Sequence, residues 1–384
     1  MMKSFKNVLS YVEGQGIVRT DLSFGERIER IGQGTSCGDV IELPEDAIVL
    51  PGFIDGHIHG AGGADTMDGS VESLACIAKT VAEEGTTSFL ATTMTQSPEA
   101  IKAALHAVKT YREGKHTGAR LLGVHLEGPF ISPEHKGAQP LSYVQSPDVG
   151  VFDEYNAASG NCIRTVTLAP EREGARELIA HLVRLGILPS IGHTGATYAD
   201  IEDAVRLGAR CVTHIYNAQS ALHHREIGTV GSALLLDDLA CELIADTVHV
   251  SPPAMRLLVK CKPHGKLILV TDAMRAKGLC DGESELGGQR VTVKNGQARL
   301  ADGTLAGSVL RMNEAVRNMV EVLGLSLTEA CDLATASPAA LLGIDRETGS
   351  IREGKRADFA VLDSRFAVIC TVCGGEIVYQ RENR

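Results

Sequence analysis

Two histidines one residue apart, His57 and His59, stand at the end of the apolar run Ala47-Ile48-Val49-Leu50-Pro51-Gly52-Phe53-Ile54. The run reads as a buried strand, and in extended backbone the side chains at i and i+2 point to one side. Neutral imidazoles placed in that way bind one or two metal ions. Gly56, Gly60, Gly62 and Gly63 beside them let the chain turn tightly and approach a ligand closely. The pattern recurs along the sequence. Leu121-Leu122-Gly123-Val124-His125-Leu126 runs into Glu127-Gly128-Pro129, and later apolar runs lead to His193, to His214 with Tyr216-Asn217, to Asp246 and His249, and to Asp272. Taken singly, each has an ordinary structural explanation as a hydrogen-bonded or capping group. Together they would crowd imidazoles and carboxylates onto one point, which is costly unless a cation accepts them. Such a donor set suits zinc or ferrous iron.

That convergence requires a fold that brings many strand ends together. Eight short apolar runs begin near Phe53, Thr87, Leu121, Thr165, Leu188, Cys211, Cys241 and Leu267. Helix signals separate them: Ser70 as a cap with Gly85 as a stop, Ser97-Pro98, Arg172 to Gly186, Thr197 to Gly208, and Ser251-Pro252. Further helices are expected over Met312–Leu323, Leu327–Ala334 and Pro338–Leu342. Strands alternating with helices predict an α/β fold, a (β/α)8 TIM barrel over 53–346 whose active site lies at the C-terminal ends of the strands. The segments around Val8–Val12, Arg27–Ile31, Ala357–Leu362, Phe366–Cys370 and Glu376–Tyr379 read instead as short strands. They predict a small β-sandwich domain built from both chain ends, 1–52 and 347–384. The cysteines are scattered through apolar runs, as buried reduced thiols are. Cys370-x-x-Cys373 has no second pair and sits on an alternating stretch, so a structural reading is favoured over a zinc site.

A bound metal lowers the pKa of its water to about 7. Asp272, at the end of the eighth strand, is then placed to take the water's proton and deliver it to a leaving group. This is hydrolysis of an amide or ester-like bond. No nucleophile elbow, Ser-x-x-Lys, Walker loop or Gly-x-Gly-x-x-Gly marks a covalent or nucleotide chemistry instead. The formal net charge is −11 and no Lys/Arg-rich run occurs, which argues against nucleic acid as a partner. An anionic small molecule would need a local cationic site. Leu222-His223-His224-Arg225, after the sixth strand, offers one: Arg225 suits a pair of phosphate oxygens, and backbone N–H groups at Asn217 and Ala218 add donors. No secretory h-region or membrane-length apolar run appears, so the expectation is a cytoplasmic protein without a membrane partner.

The motifs resemble those of the N-acetylglucosamine-6-phosphate deacetylases of the amidohydrolase superfamily. The matching segments are Pro51–Gly60, His125–Phe130 with Lys136-Gly137-Ala138, Leu168–Glu171, Gly192-His193-Thr194, Thr213–Ala218, His223–Glu226, Thr271–Met274, Leu305–Ser308 and Gly354–Asp358, in colinear order over nearly the whole chain. The resemblance implies that Glu127, His193 and His214 bind one divalent metal, zinc or iron, and that His57 and His59 add a second site with Glu127 bridging. Asp272 would be the acid/base and a further metal ligand. His135, Ala138, His249, Leu305 and Ala306 would contact the substrate, an amino-sugar phosphate. Asn217, Ala218 and Arg225 would hold its phosphate, Arg225 across the interface of a homodimer. The phosphate loop departs from the family pattern at Ile227, where proline is usual, and at Gln219-Ser220. The implied reaction converts N-acetylglucosamine 6-phosphate to glucosamine 6-phosphate and acetate. The galacto epimer is the alternative substrate, and a barrel without catalysis, retained as an interaction scaffold, is the alternative of another class.

Overall fold

The computed structural model describes residues 2–382; the first residue and the last two of the expected terminal domain lie outside the described residues. Eight parallel strands follow one another in chain order: Phe53–Ile58, Thr86–Thr92, Arg120–Glu127, Ile163–Leu168, Leu188–Ile191, Cys211–Val212, Ala240–Ile244 and Leu267–Val270. They coincide with the eight apolar runs. The last returns to the first where the Asp272 N–H donates to His57 O at 2.8 Å and Ile58 bridges Ala273. The barrel is thereby closed at the end that carries the candidate ligands.

Helices start and stop where local chemistry dictates. Ser70 accepts from the Ser73 N–H ahead of Val71–Ala82, and Thr197 forms a capping box with Asp200 ahead of Tyr198–Leu207. The helix expected from Arg172 begins later, at Ala175. Glu171 is needed outside it, where its carboxylate accepts from the Thr194 hydroxyl and the Gly195 N–H at the end of the fifth strand.

A small sheet has no counterpart among the expected elements. Between the eighth strand and the helix Met312–Glu321, the segments Gly282–Leu286, Gln289–Lys294 and Gln297–Arg299 form a three-stranded antiparallel sheet. Val291 and Val293 alternate inward and pack with Met94, Met274 and Ala306. This small sheet stands beside the barrel mouth, and Gln289 Nε2 donates to Ala138 O across it.

The chain ends meet in one mixed sheet of eight strands, from Lys3–Val12 through Glu376–Gln380. The long first strand carries Asp39–Ile41 and Ile48–Pro51 along its length, with a shift of register between Phe5 and Val8. The sheet therefore curls on itself, and Phe5, Phe24 and Phe359 meet with ring centroids 5.1 to 5.8 Å apart. Its apolar interior is separate from that of the barrel. Cys370 is buried in this sheet and the Cys373 thiol donates to Thr87 O at 3.4 Å; among the described residues, neither belongs to a cluster of metal-ligand type. No helix among them is long and apolar enough to cross a membrane.

Candidate metal centre

The C-terminal strand ends deliver six of the expected residues to one place. Glu127 lies at its centre: Oε1 is 2.9 Å from His214 Nε2, 3.2 Å from His193 Nε2 and 3.5 Å from His57 Nε2, while Oε2 is 3.3 Å from His59 Nε2. Asp272 Oδ1 is 3.2 Å from His59 Nε2 and 3.6 Å from His57 Nε2. Two overlapping ligand sets result, Glu127 with His193 and His214, and Glu127 with His57 and His59. All six residues are buried.

The backbone is shaped for the site. His193, His214 and Asp272 have φ of 49°, 30° and 46°, and Tyr216 and Ala218 are also left-handed. Such conformations are uncommon outside glycine and concentrate where a site imposes them. Gly60, after the His-x-His, is required for a different reason: a Cβ there would stand 2.3 Å from Ala64 O.

Hydrogen bonds show what the imidazoles offer. His193 Nδ1 faces the His135 carbonyl at 2.9 Å, so it carries the proton and donates. Its Nε2 lone pair is left facing Glu127 Oε1 and His214 Nε2, at 3.2 and 3.1 Å. His57 Nδ1 faces the Glu242 carboxylate at 3.0 Å, and its buried Nε2 has no hydrogen-bond partner. Four imidazole Nε2 atoms and the oxygens of two carboxylates thus converge on one point, a donor set that fits a cation once each Nε2 is free of its proton. Positive charge is wanted here in any form. Burial lowers the pKa of His57, yet Glu127 and Asp272 overcome it and raise it to about 9. Burial likewise raises Asp272, but His57 and His59 outweigh it and hold the carboxyl at about 2.

Beneath the ligands lies a polar floor that sequence reasoning missed. Gln139 Nε2 donates to Glu127 Oε2 at 2.7 Å, and Gln139 Oε1 accepts from the Thr95 N–H at 2.7 Å, which fixes the carboxylate. His125 donates from Nδ1 to Gly56 O at 3.1 Å, and its Nε2 meets Thr167 Oγ1 at 2.7 Å, at the head of a chain through Thr213 and Ser190. Burial and the neighbouring His57 lower its pKa to about 4 and keep it neutral. The signal for Glu242 was available: it is a lone carboxylate inside the apolar strand Ala240–Ile244.

Above the site is a cavity of about 350 Å³ lined by His59, Glu127, Ala138, His193, His214, Asn217, Ala218, His249, Asp272 and Leu305, among others. His249 Nδ1 faces Asp246 Oδ2 at 2.6 Å, which turns Nε2 into an acceptor. Ala306 is buried behind the wall. His135 offers its carbonyl to His193, and its ring lies against Gly195, outside the lining. The Asn217 N–H is engaged with His214 O at 3.1 Å. Arg225 is exposed, also outside the lining, and its Nη1 pairs with His224 Nε2 at 2.7 Å.

A closed parallel barrel with this imidazole and carboxylate set at its mouth has the architecture of the amidohydrolases, and residues 48–378 match the Amidohydrolase family. The chain is 47% identical to an N-acetylglucosamine-6-phosphate deacetylase from Bacillus subtilis, over 88% of this chain and 86% of that one. It is 41% identical to an N-acetylgalactosamine-6-phosphate deacetylase from Escherichia coli, over 83% and 84%. The crystal structure of N-acetylglucosamine-6-phosphate deacetylase from Pasteurella multocida superposes with a TM-score of 0.92, at 31% identity, covering 98% of this chain and 99% of that one. The chain belongs to the N-acetylglucosamine-6-phosphate deacetylases of the amidohydrolase family.

Proposed function

We propose that this chain hydrolyses the acetamide of N-acetyl-D-glucosamine 6-phosphate to D-glucosamine 6-phosphate and acetate. The observation that carries the reading is the donor set gathered on Glu127 at the floor of a cavity large enough for a monosaccharide. Glu127, His193 and His214 would hold one divalent ion, zinc or iron, and His57 and His59 with Glu127 a second. Bound there, a divalent ion supplies Lewis acidity and an acidic water. Asp272 takes the proton of the attacking water at Oδ1 and passes it to the amide nitrogen as the carbon–nitrogen bond breaks. His249, oriented by Asp246, accepts from a sugar hydroxyl through Nε2. Ala138 and Leu305 line the sugar's path, His135 and Ala306 support it, and Ala218 offers a backbone N–H to the phosphate beside Asn217.

Arg225 lies outside this chain's own cavity, which supports a homodimer in which each Arg225 reads the phosphate bound by the partner subunit. The ten cysteines include no disulfide, which supports a reducing, cytoplasmic setting. We take 53–346 as the catalytic barrel domain and the remainder as the terminal β domain. Kinetics on the two epimeric N-acetyl-hexosamine 6-phosphates, beside elemental analysis of the same sample, test the reading. The expected result is metal-dependent release of acetate with kcat/KM highest for the gluco epimer. Higher kcat/KM for the galacto epimer, or full activity in metal-free protein, overturns it.

A further inference from the structure

We propose that Glu242 is the positioning residue that makes His57 a metal ligand, and that the second metal position depends on it. The inference rests on the reading above, in which His57 and His59 bind a second ion. Glu242 belongs to the seventh strand and is buried, with its Oε2 3.0 Å from His57 Nδ1. An ionised carboxylate only accepts, so the proton of His57 sits on Nδ1. In the neutral ring Nε2 then presents its lone pair on the side of Glu127 and Asp272. An imidazole without such a partner samples both tautomers and ring orientations, and half of its preparation for the ion is lost.

A competing assignment makes Glu242 a ligand itself, since His57, His125 and Glu242 also cluster. The hydrogen bonds oppose it. Both nitrogens of His125 are engaged, with Gly56 O and Thr167 Oγ1, and an ion there would have to displace them. Charge supports the second position itself. Glu127, Asp272 and Glu242 bring three negative charges to the buried cluster, so one divalent ion leaves one of them uncompensated. His214 depends on Glu242 less. Its contact with the carboxylate is made by the backbone N–H at 3.3 Å, and its ring Nδ1 has no partner.

The test is metal retention by purified holoenzyme dialysed against graded chelator, with cobalt(II) then titrated back and followed by its visible spectrum. Wild type, Glu242→Leu, Glu242→Gln and His57→Asn are compared, alone and combined. Removing an outer partner of a ligating histidine commonly costs about 10- to 100-fold in metal affinity. Glu242→Leu is expected to weaken the second equivalent by that factor and the first by much less. Glu242→Gln has nearly the same shape and still accepts from Nδ1, so it should fall between wild type and Leu. On the His57→Asn background neither change should add a further loss. Two equivalents retained by Glu242→Leu with unchanged affinity overturn the proposal. So does a wild-type protein that binds only one equivalent, or a loss of both equivalents that persists on the His57→Asn background. The readout uses no substrate, so a failure of the deacetylase reading would appear separately, as absent acetate release from two-metal wild type.

Discussion

Replacing Asp272 by asparagine tests the proton transfer on which the proposed chemistry turns. Asn keeps the size of the side chain and removes its basicity. It also suits the backbone, because Asp272 has φ 46° and asparagine is among the few residues that adopt this region readily. The main-chain bonds of the residue, N–H to His57 O and C=O from the Ser308 N–H, both 2.8 Å, do not involve the side chain. The fold and the metal should therefore survive, with the amide oxygen still facing His59. What is lost is general acid–base catalysis, typically a factor of about 10² to 10⁴. At 1.36 kcal/mol for each factor of ten, this raises the barrier by about 3 to 5 kcal/mol. The assay is acetate release by wild type and variant at saturating sugar phosphate, with elemental analysis and thermal melting of the same preparations. The expected outcome is a kcat at least about 10²-fold lower with metal content and melting temperature close to wild type. Near-normal turnover of the metal-loaded variant refutes the role. A raised KM at unchanged kcat also refutes it, since Asp272 would then bind substrate without moving a proton.

Replacing both His57 and His59 by asparagine should lower bound metal while leaving some activity, because Glu127, His193 and His214 form a set without them; unchanged stoichiometry would show that the pair does not ligate. Arg225→Ala should lower kcat/KM for the 6-phosphate sugar about 10- to 10³-fold, from charge-assisted bonds of roughly 1.5–3 kcal/mol each, and hardly alter the unphosphorylated sugar. An equal loss on both substrates would make Arg225 a structural or interface residue. His125 titrates at about 4 in the fold, below the ordinary value of about 6.5, so the unfolded chain binds the extra proton and stability is lost as pH falls from 6.5 towards 4. The gap is worth about 3 kcal/mol, visible in urea unfolding at graded pH, and His125→Asn should lack this component; parallel profiles would contradict it. Lys277 Nζ and Glu84 Oε1 pair at 2.5 Å, both buried, so Lys277→Met should destabilise by about 3–5 kcal/mol, with partial recovery when Glu84→Leu is added. A fully stable single variant would show that the pair is not needed.

The barrel was legible because its strands are buried on both faces and announce themselves as continuous apolar runs, with serine caps and glycine stops between. Even the two-residue sixth strand was found, since Cys211-Val212 follows the stop at Gly208. Segments were missed where the pattern was weak or of another kind. The helix Gly228–Leu235 opens on glycine and is buried nearly all round, so it shows no polar face to give a helical period. The sheet over Gly282–Arg299 does carry an alternating pattern, in Arg290-Val291-Thr292-Val293, but it interrupts the sequence of barrel units between the eighth strand and the helix expected from Met312.

The candidate site divides along the same physical line. Residues that close a strand were visible, because the strand ends are marked and a barrel brings all of them to one mouth. Residues one layer lower show only as polar groups inside apolar runs, a signal that carries no mark of what they face. Glu242 and His125 differ from the ligands only in this respect. Each is polar, buried and close to His57, yet His125 has both nitrogens satisfied and Glu242 has given its charge to Nδ1 of His57. The proposed ligands are groups whose second ring nitrogen is engaged elsewhere, so that Nε2 is left to face the carboxylates, as in His193 and His57. That distinction rests on hydrogen bonds between strands far apart in the chain. On the proposed reading, the His-x-His at the start of the barrel is only half of a metal-binding device. Its other half would be a carboxylate 185 residues away, Glu242, which holds Nδ1 of His57 and so decides which way that imidazole faces.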